Sequence, residues 1–479
     1  MTVDPAVTRP SAVPGPRLRT DPPPAEPPPA APALDPPGGR AAWLAWGIGV
    51  SCYVLAVIHR TSLGVAGLDA AHRFGVDAST LATFSILQVL VYAAMQVPVG
   101  LLIDRFGPRR VLLLGTVLLS AGQLAFALSS AFGPALVSRA VIGCGDAMTF
   151  ISVLRVAARW FPAAKNPLVV QLTGLAGMGG NLVSTVVLAQ TLHTEGWTVS
   201  FTAVSLLGVL VFALVALLLK EAPPGAVNAS APPGVAVAAD PPPGVAVAAD
   251  PPAVPLGRAP IRAQIRDSWR QPGTRLGLWV HFTTQFPSNV FALLWGMPYL
   301  VEGQGMSRGQ AGGLLTLLVL SNMFFGLLFG RLLSRGPGLR MPLVFTVLAA
   351  TAGCWTLVLA WPGGRPPLWL LVLLLLVMGS NGSASLVGLD YARAHNPAHR
   401  LGTASGIVNM GGFIATMISL LGIGVLLDLL SPAGAGAYSA QAYRGAFCWL
   451  AVPLVLGTVM IVRLRAKAEA EAEGRGAGD

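Results

Sequence analysis

The stretch VGLLIDRFGPRRVLLLG, residues 99–115, packs Asp104, Arg105, Arg109 and Arg110 between two apolar runs. Gly107-Pro108 at its centre reads as a tight turn, because Gly accepts positive φ and Pro is pre-set for the first position of a helix. Apolar on both sides and charged at the turn, the stretch predicts two membrane-crossing helices joined by a short loop on one face of a bilayer.

The rest of the chain repeats that alternation. Of 479 residues, 54% are hydrophobic and 11% charged, and the mean hydropathy is +0.67. Soluble domains carry about 25% charged residues, so the expected class is an all-α polytopic membrane protein. The apolar runs predict spans at 42–67, 80–103, 110–129, 134–158, 167–191 and 198–219, then at 275–300, 309–333, 341–361, 367–391, 403–428 and 444–464. Expected domains are a disordered Pro/Ala-rich tail (1–39), a six-helix bundle (40–220), a linker (221–270) containing PPGVAVAAD twice, a second six-helix bundle (271–465) and a tail (466–479). The tail lacks a secretory h-region, and neither Pro/Ala-rich segment buries enough apolar surface to fold. Cys52, Cys144, Cys354 and Cys448 all lie in apolar runs without disulfide or metal-ligand spacing. No metal or cofactor is expected.

The net charge of +11 sorts by loop. One set of loops collects Arg105/Arg109/Arg110, Arg155/Arg159/Lys165, Lys220 with Arg258 through Arg275, Arg331/Arg335/Arg340, Arg393/Arg400 and Arg463/Arg465/Lys467. The alternate loops hold single arginines: Arg73, Arg308, Arg365 and Arg444. This asymmetry puts both termini in the cytoplasm of a bacterial-type plasma membrane and argues against nucleic acid as a partner.

The halves also resemble each other. GLLIDRFGPRR (100–110) aligns with GLLFGRLLSRG (326–336), pairing Gly100 with Gly326, Arg105 with Arg331 and Arg109 with Arg335, while Asp104 meets Gly330. GMGG (177–180) in the fifth span matches NMGG (409–412) in the eleventh. Parallel repeats with a mid-membrane site between them are a transporter design. In such a design the first loop is a conformational latch: Asp104 meets arginines or a helix N-terminus, and Gly100 admits a neighbouring backbone. A tight turn with a positive-inside signal is the plainer reading of the same residues.

The pattern G-x-x-x-D-R-x-G-x-R-R, after the second of twelve spans, resembles the loop signature of the major facilitator superfamily. The resemblance covers residues 42 to 465 and implies two pseudo-symmetric bundles, alternating access and usually a monomer. It does not name a substrate.

Charged groups at membrane depth cost about 2.5–3.5 kcal/mol on insertion scales and are functional candidates by default. The first span carries His59 and Arg60, the fourth Arg139 and Asp146. Arg139 and Asp146 are two helical turns apart and share a face. The seventh span sets His281, Gln285 and Asn289 on one face; Asp390 and Asn409 follow in the tenth and eleventh. Structural roles compete for each: snorkelling for the arginines, an ion pair of Asp146 with Arg60 or Arg139, interhelical bonding for His59 and the seventh-span stripe, and an Asp390–Arg393 pair. Two cations against one acid leave positive charge uncompensated, which suits a small anionic substrate bound by a guanidinium fork. Asp146 is then the proton-carrying group.

RAVIGCGDA (139–147), ARWFP (158–162) and GGN (179–181) are similar to the anion:cation symporter branch of that superfamily. The resemblance implies proton-coupled symport of an organic anion, with Arg60 and Arg139 at the substrate, Asp146 in place of a Glu, and Asn409 as a substrate amide. His59 stands where that branch has an acid, so it and Asp146 share the proton-coupling assignment, with stoichiometry left open. Gln285 joins the substrate group. The alternative is a proton-coupled efflux antiporter for a lipophilic compound, although GLAGMGGNLV lacks the fifth-helix Gly-Pro of such proteins. Nitrate porters would want pore-facing arginines in the second and eighth helices. No hydrolase, metallohydrolase or P-loop motif is present, so an enzyme is not expected; a non-transporting sensor is the remaining option.

Overall fold

The computed structural model describes residues 38–162, 165–220, 261–333, 335–397, 401–431 and 438–476, and the regular elements in them are helices. Residues 1–37 of the expected tail and 221–260 of the expected linker lie outside the described residues. The first half contains α1 (Arg40–Phe74), α2 (Ala78–Phe106), α3 (Pro108–Leu128), α4 (Phe132–Trp160), α5 (Asn166–Val183) and α6 (Ala189–Leu218), with a π-helical turn at Ser184–Leu188. The second half contains α7 (Ile261–Arg270), α8 (Pro272–Val290), the short α9 (Gly296–Pro298) between π-helical turns Phe291–Trp295 and Tyr299–Gly303, and α10 (Arg308–Leu333). It ends with α11 (Arg340–Ala360), α12 (Leu368–His395), α13 (Leu401–Leu429), α14 (Ala440–Phe447) and α15 (Ala451–Gly476).

Ten segments among the described residues are long and apolar enough to cross a bilayer. One of them, Leu168–Leu218, is 51 residues long but is broken into two rods at Gly196, where φ is 78°. The expected seventh span is not among the ten; it lies in the continuous stretch Pro272–Gly303, interrupted by Pro287, Pro298 and two π-helical turns.

The helices outrun the apolar spans. Hydropathy marks what sits in hydrocarbon, whereas a helix runs on until a residue stops it: α1 reaches Phe74 before Gly75 adopts φ 60°. In the opening stretch, Gly107 at φ 81° ends α2 and Pro108 begins α3, as the Gly-Pro reading predicts. The described part of the linker expected at 221–270 holds the helix α7, and the last span passes through a 3₁₀ turn at Cys448–Leu450 and continues helical to Gly476, beyond the boundary expected at 465.

Small residues set the packing. A Cβ on Gly145 would sit 2.6 Å from the Gly115 carbonyl, so α3 and α4 meet backbone to backbone, as membrane helices do where side chains are minimal. Gly277 and Gly388 bring α8 and α12 together in the same way, each facing the other's carbonyl. Both glycine motifs serve helix contacts, through different positions of the motif. A Cβ on Gly180 would come 2.7 Å from the Val54 carbonyl, where α5 meets α1, and one on Gly411 would come 2.5 Å from the Leu278 carbonyl, where α13 meets α8.

Between the halves, polar contacts gather at the end formed by the C-terminus of α1 and the N-terminus of α2. Arg308 pairs with Asp69 at 2.6 Å. The Asp428 carboxylate, from the end of α13, accepts the Ala78 and Ser79 amides at 3.0 and 2.9 Å and the Tyr438 hydroxyl at 2.6 Å. Ala78 also donates to the Tyr438 oxygen at 2.8 Å. Asp428 thus completes the N-terminus of a helix in the other half, where free amides and the helix dipole favour an anion. Just below, a Cβ on Gly64 would collide with the Ala292 carbonyl.

At the opposite end the expected latch is arranged differently. Arg109 donates to the Ala216 carbonyl at 2.7 Å, inside its own half, and Arg105 lies over Phe106. Arg110 is exposed, and the Asp104 side chain lies outside the described residues. Gly100 departs from the expected close approach: among the described residues nothing lies within 4 Å of where its Cβ would be. The close approach to α2 is made by a glycine of another helix, Gly143 of α4, where a Cβ would lie 2.7 Å from the Gln88 carbonyl.

Candidate functional site

Because Gly143 and Gly145 draw α4 against its neighbours, Asp146 is held inside the first half, fully buried. Its carboxylate grips Arg60 of α1 with both oxygens: Nε donates to Oδ2 at 2.7 Å and Nη2 to Oδ1 at 2.6 Å. This is the planar two-bond geometry that arginine alone provides. The Arg60 side chain keeps 19% exposure, and its guanidinium lies over the Tyr92 ring of α2, 4.6 Å from the centroid. Tyr92 meets Phe413 of α13 edge-on at 5.6 Å, so the cation–π platform also touches the other half. Tyr53, tilted against Phe150 at 5.0 Å, lies under Gly177, where a Cβ would come within 2.5 Å of its ring.

Arg139 is elsewhere. The shared face with Asp146 left two partners open for that acid, and it takes Arg60. Arg139 is fully buried, donates to Ser62 Oγ at 3.2 Å and the His59 carbonyl at 3.4 Å, and lies over Phe126 at 5.1 Å. It forms no ion pair among the described residues, and with no exposed surface it does not snorkel. His59 is buried as well. Its carbonyl accepts from Arg139, and its ring meets the Val204 backbone of α6, in line with the interhelical bonding expected of it.

In the second half the polar stripe is linked. Gln285 accepts from Ser385 at 2.7 Å and donates to Asn289 at 3.0 Å, which donates to Thr416 at 3.4 Å. These bonds tie α8 to α12 and α13, as interhelical bonding would, and they occupy Gln285. His281 is buried, and its Nδ1 has no hydrogen-bond partner among the described residues. Asn409 is half-buried near the start of α13. Asp390 pairs with Arg393 at 3.2 Å, as expected. Of the expected site residues, the fold therefore joins Arg60 to Asp146 and Arg139 to the backbone of His59. Gln285 and Asn409 belong to the facing half. Tyr92, Tyr53 and Phe413 were missed. The available signal was scarcity: the chain has only 6 tyrosines, and two of them fall in the apolar spans of α1 and α2.

A family model described as Major Facilitator Superfamily matches residues 49–420. The chain belongs to that superfamily. Its fold is the major facilitator fold, and it is a multi-pass membrane transporter. Among curated relatives, a probable sulfoacetate transporter of Cupriavidus necator is 25% identical over 395 residues, covering 80% of this chain and 86% of that one. A probable galactarate/D-glucarate transporter of Escherichia coli is 24% identical over 389 residues, covering 78% and 85%. Among solved structures, a bacterial homologue of the human lysosomal transporter Spinster, inward-facing and unoccupied, superposes with a TM-score of 0.68 at 14% identity, covering 89% of this chain and 97% of that one.

Proposed function

We propose that this transporter moves a small organic anion together with a proton by alternating access, with Arg60 as the anion-binding fork and Asp146 as the proton site. The observation that carries the reading is the partly exposed Arg60 held two ways by one buried carboxylate. A substrate carboxylate or sulfonate competes with Asp146 for the same N–H groups. Protonated Asp146 no longer offers two anionic oxygens and releases the fork. Anion binding and protonation therefore favour each other, which is the coupling a symporter needs. Relatives named for sulfoacetate and galactarate/glucarate support the anion class, as does the similarity to the anion:cation symporter branch.

Charge accounting supports the stoichiometry. Arg60, Arg139 and Asp146 leave one net positive charge; adding one monovalent anion and one proton leaves the same charge. With His59 where the branch has a second acid, one proton per monoanion is the assignment. Arg139 acts from behind the site, holding α1 through His59 and Ser62, and its positive field favours the anion. From the facing half Asn409 supplies an amide, and Gln285 supplies one by exchanging its Ser385 and Asn289 bonds for the substrate.

Twelve crossings are obtained by taking Leu168–Leu218 as two passes and adding Pro272–Gly303 to the remaining nine segments. Both termini then face the cytoplasm, and the Asp428 and Arg308 contacts close the outer side while the Asp104–Arg110 loop lies at the inner one. The chain acts as a monomer in a plasma membrane.

The test is reconstitution of the full-length protein in liposomes with a trapped pH dye, at zero membrane potential. Sugar acids, sulfonates and aromatic acids are added outside, with an Asp146→Asn variant in parallel. Lumen acidification by one anion, lost in the variant, is the expected result. Proton movement evoked by lipophilic compounds and by no anion would overturn the reading.

A further inference from the structure

The second-half copy of the opening loop has a use that transport leaves unassigned. From Gly326 to Pro342 the sequence GLLFGRLLSRGPGLRMP contains Arg331, Arg335 and Arg340 and no acid. Gly330 stands where the first copy has Asp104. Between the helices on either side of this loop runs a groove of about 400 Å³, within the size range of ligand clefts, roughly 300–1,000 Å³. Phe325 and Phe329 of α10 form one wall, and Leu343, Val347 and Ala350 of α11 the other, with α12 as the floor.

The groove offers a ligand no hydrogen bond of consequence. Its two hydroxyls are spent on their own helices: Thr346 donates to the Pro342 carbonyl at 2.8 Å and Ser380 to the Val377 carbonyl at 2.6 Å. Beside it, α10 exposes Leu320, Phe324 and Leu327 at 48%, 61% and 44%, three residues on one helical face that suit hydrocarbon. The groove is therefore apolar throughout and open on an apolar flank.

Its end is cationic. Leu332 and Leu339, which line the groove, bracket the turn that carries Arg335, and Pro342 begins the opposite wall just after Arg340. Arg335 is exposed. Arg340 lies near the Tyr391 ring, 5.9 Å from its centroid, at the end of α12 where Asp390 is bonded to Arg393 and shares its negative charge between Arg393 and Arg340. An apolar trough with guanidiniums at one end is complementary to a molecule with a long hydrocarbon chain and an anionic head.

We propose that this is a binding site for an anionic phospholipid, with an acyl chain between α10 and α11 and the phosphate at Arg335 and Arg340. The site rests on the membrane reading only for the leaflet, which is the inner one. It does not depend on the transported substrate.

The test is native mass spectrometry of delipidated full-length protein titrated with phosphatidylglycerol or phosphatidylcholine. Each arginine at a lipid surface is worth roughly 5-fold in affinity. Wild type is expected to retain one phosphatidylglycerol about 30-fold more tightly than phosphatidylcholine. Arg335→Gln/Arg340→Gln should erase that preference, and Arg335→Lys/Arg340→Lys should restore most of it. Ala350→Phe, which fills the groove, should lose both lipids while the protein elutes as a single species. Glycerol phosphate should not displace the lipid, because the chain supplies the remaining contact. Equal retention of the two lipids by wild type, or a preference that survives the glutamine pair, would overturn the proposal. So would unaltered retention in Ala350→Phe, which would mean ordinary annular lipid.

Discussion

Removing the Asp428 carboxylate should open the outer side of the transporter. Asp428 accepts two backbone amides of α2 at 3.0 and 2.9 Å and the Tyr438 hydroxyl at 2.6 Å. Hydrogen bonds to a charged group contribute about 1.5–3 kcal/mol each, and an anion at a helix N-terminus adds about 0.3–1 kcal/mol. Separation of the halves would let water replace much of this, so the net preference for the closed arrangement is about 2–3 kcal/mol, or roughly 30- to 150-fold in population. Asp428→Ala should shift the equilibrium by that factor. Ser85 reports it, being 3% exposed and bonded across the halves to the Leu293 carbonyl at 3.4 Å. In a background with Cys52, Cys144, Cys354 and Cys448 replaced by Ala, Ser85→Cys should react slowly with a membrane-impermeant maleimide added outside. Adding Asp428→Ala should raise the rate roughly 30- to 150-fold. Asp69→Ala should raise it only about 1.5- to 5-fold, because the exposed Arg308 pair is worth about 0.2–1 kcal/mol. An unchanged rate in Asp428→Ala, with full labelling after denaturation, would refute the role given to this carboxylate.

Asp146→Ala strands the Arg60 guanidinium and should cost about 3–5 kcal/mol, seen as a lower thermal midpoint; Arg60→Leu/Asp146→Leu should recover much of that stability while remaining transport-dead. Tyr92→Phe keeps the ring under Arg60 and should leave anion affinity within about 3-fold, whereas Tyr92→Leu, losing roughly 1–2 kcal/mol of cation–π attraction, should weaken it about 5- to 30-fold in an equilibrium binding titration. Gly143→Ala pushes a methyl to 2.7 Å from the Gln88 carbonyl and should destabilise by about 1–3 kcal/mol, read as a lower midpoint in thermal unfolding. If one proton accompanies one monoanion, a valinomycin-imposed potential should not change the initial uptake rate of that anion; a steep dependence on potential would overturn the stoichiometry.

What could be read from the sequence was the part that hydrocarbon dictates. Uninterrupted apolar runs separate helix from loop, and Gly107-Pro108 placed the turn between α2 and α3 correctly because both residues have strong local preferences. The repeated glycine motifs were legible as an internal repeat, and their helix contacts came only with the fold. Pairings across large sequence distances were only narrowed: Asp146 was left with two candidate partners, Arg60 and Arg139. Arg139 and Asp146 share a helix face, yet the partner of Asp146 is 86 positions away on α1, chosen by how α1 and α4 pack. Tyr92 was marked only by the scarcity of tyrosine, which says nothing of its lying beneath a guanidinium of another helix. Asp428 carries no sequence pattern that would mark its role, because the amides it receives lie 350 positions upstream. The helix α7 was missed because its run of polar residues lacks the hydropathy that marks a span.

That Asp428 caps α2 from 350 positions downstream has a consequence for how the protein is made. At about 5–20 residues per second, the amides of Ala78 and Ser79 leave the ribosome roughly 20–70 s before the carboxylate that receives them. Until then the first turn of α2 depends on Asp77, which accepts from the Thr80 amide at 2.8 Å and whose carboxyl the hydrogen bonds from Thr80 hold below its ordinary value. The first half therefore enters the membrane with one helix start incomplete, and arrival of the second half finishes it. A nascent chain stopped before residue 428 should exchange the Ala78 amide freely, and the full chain should protect it, making that one proton a clock for assembly.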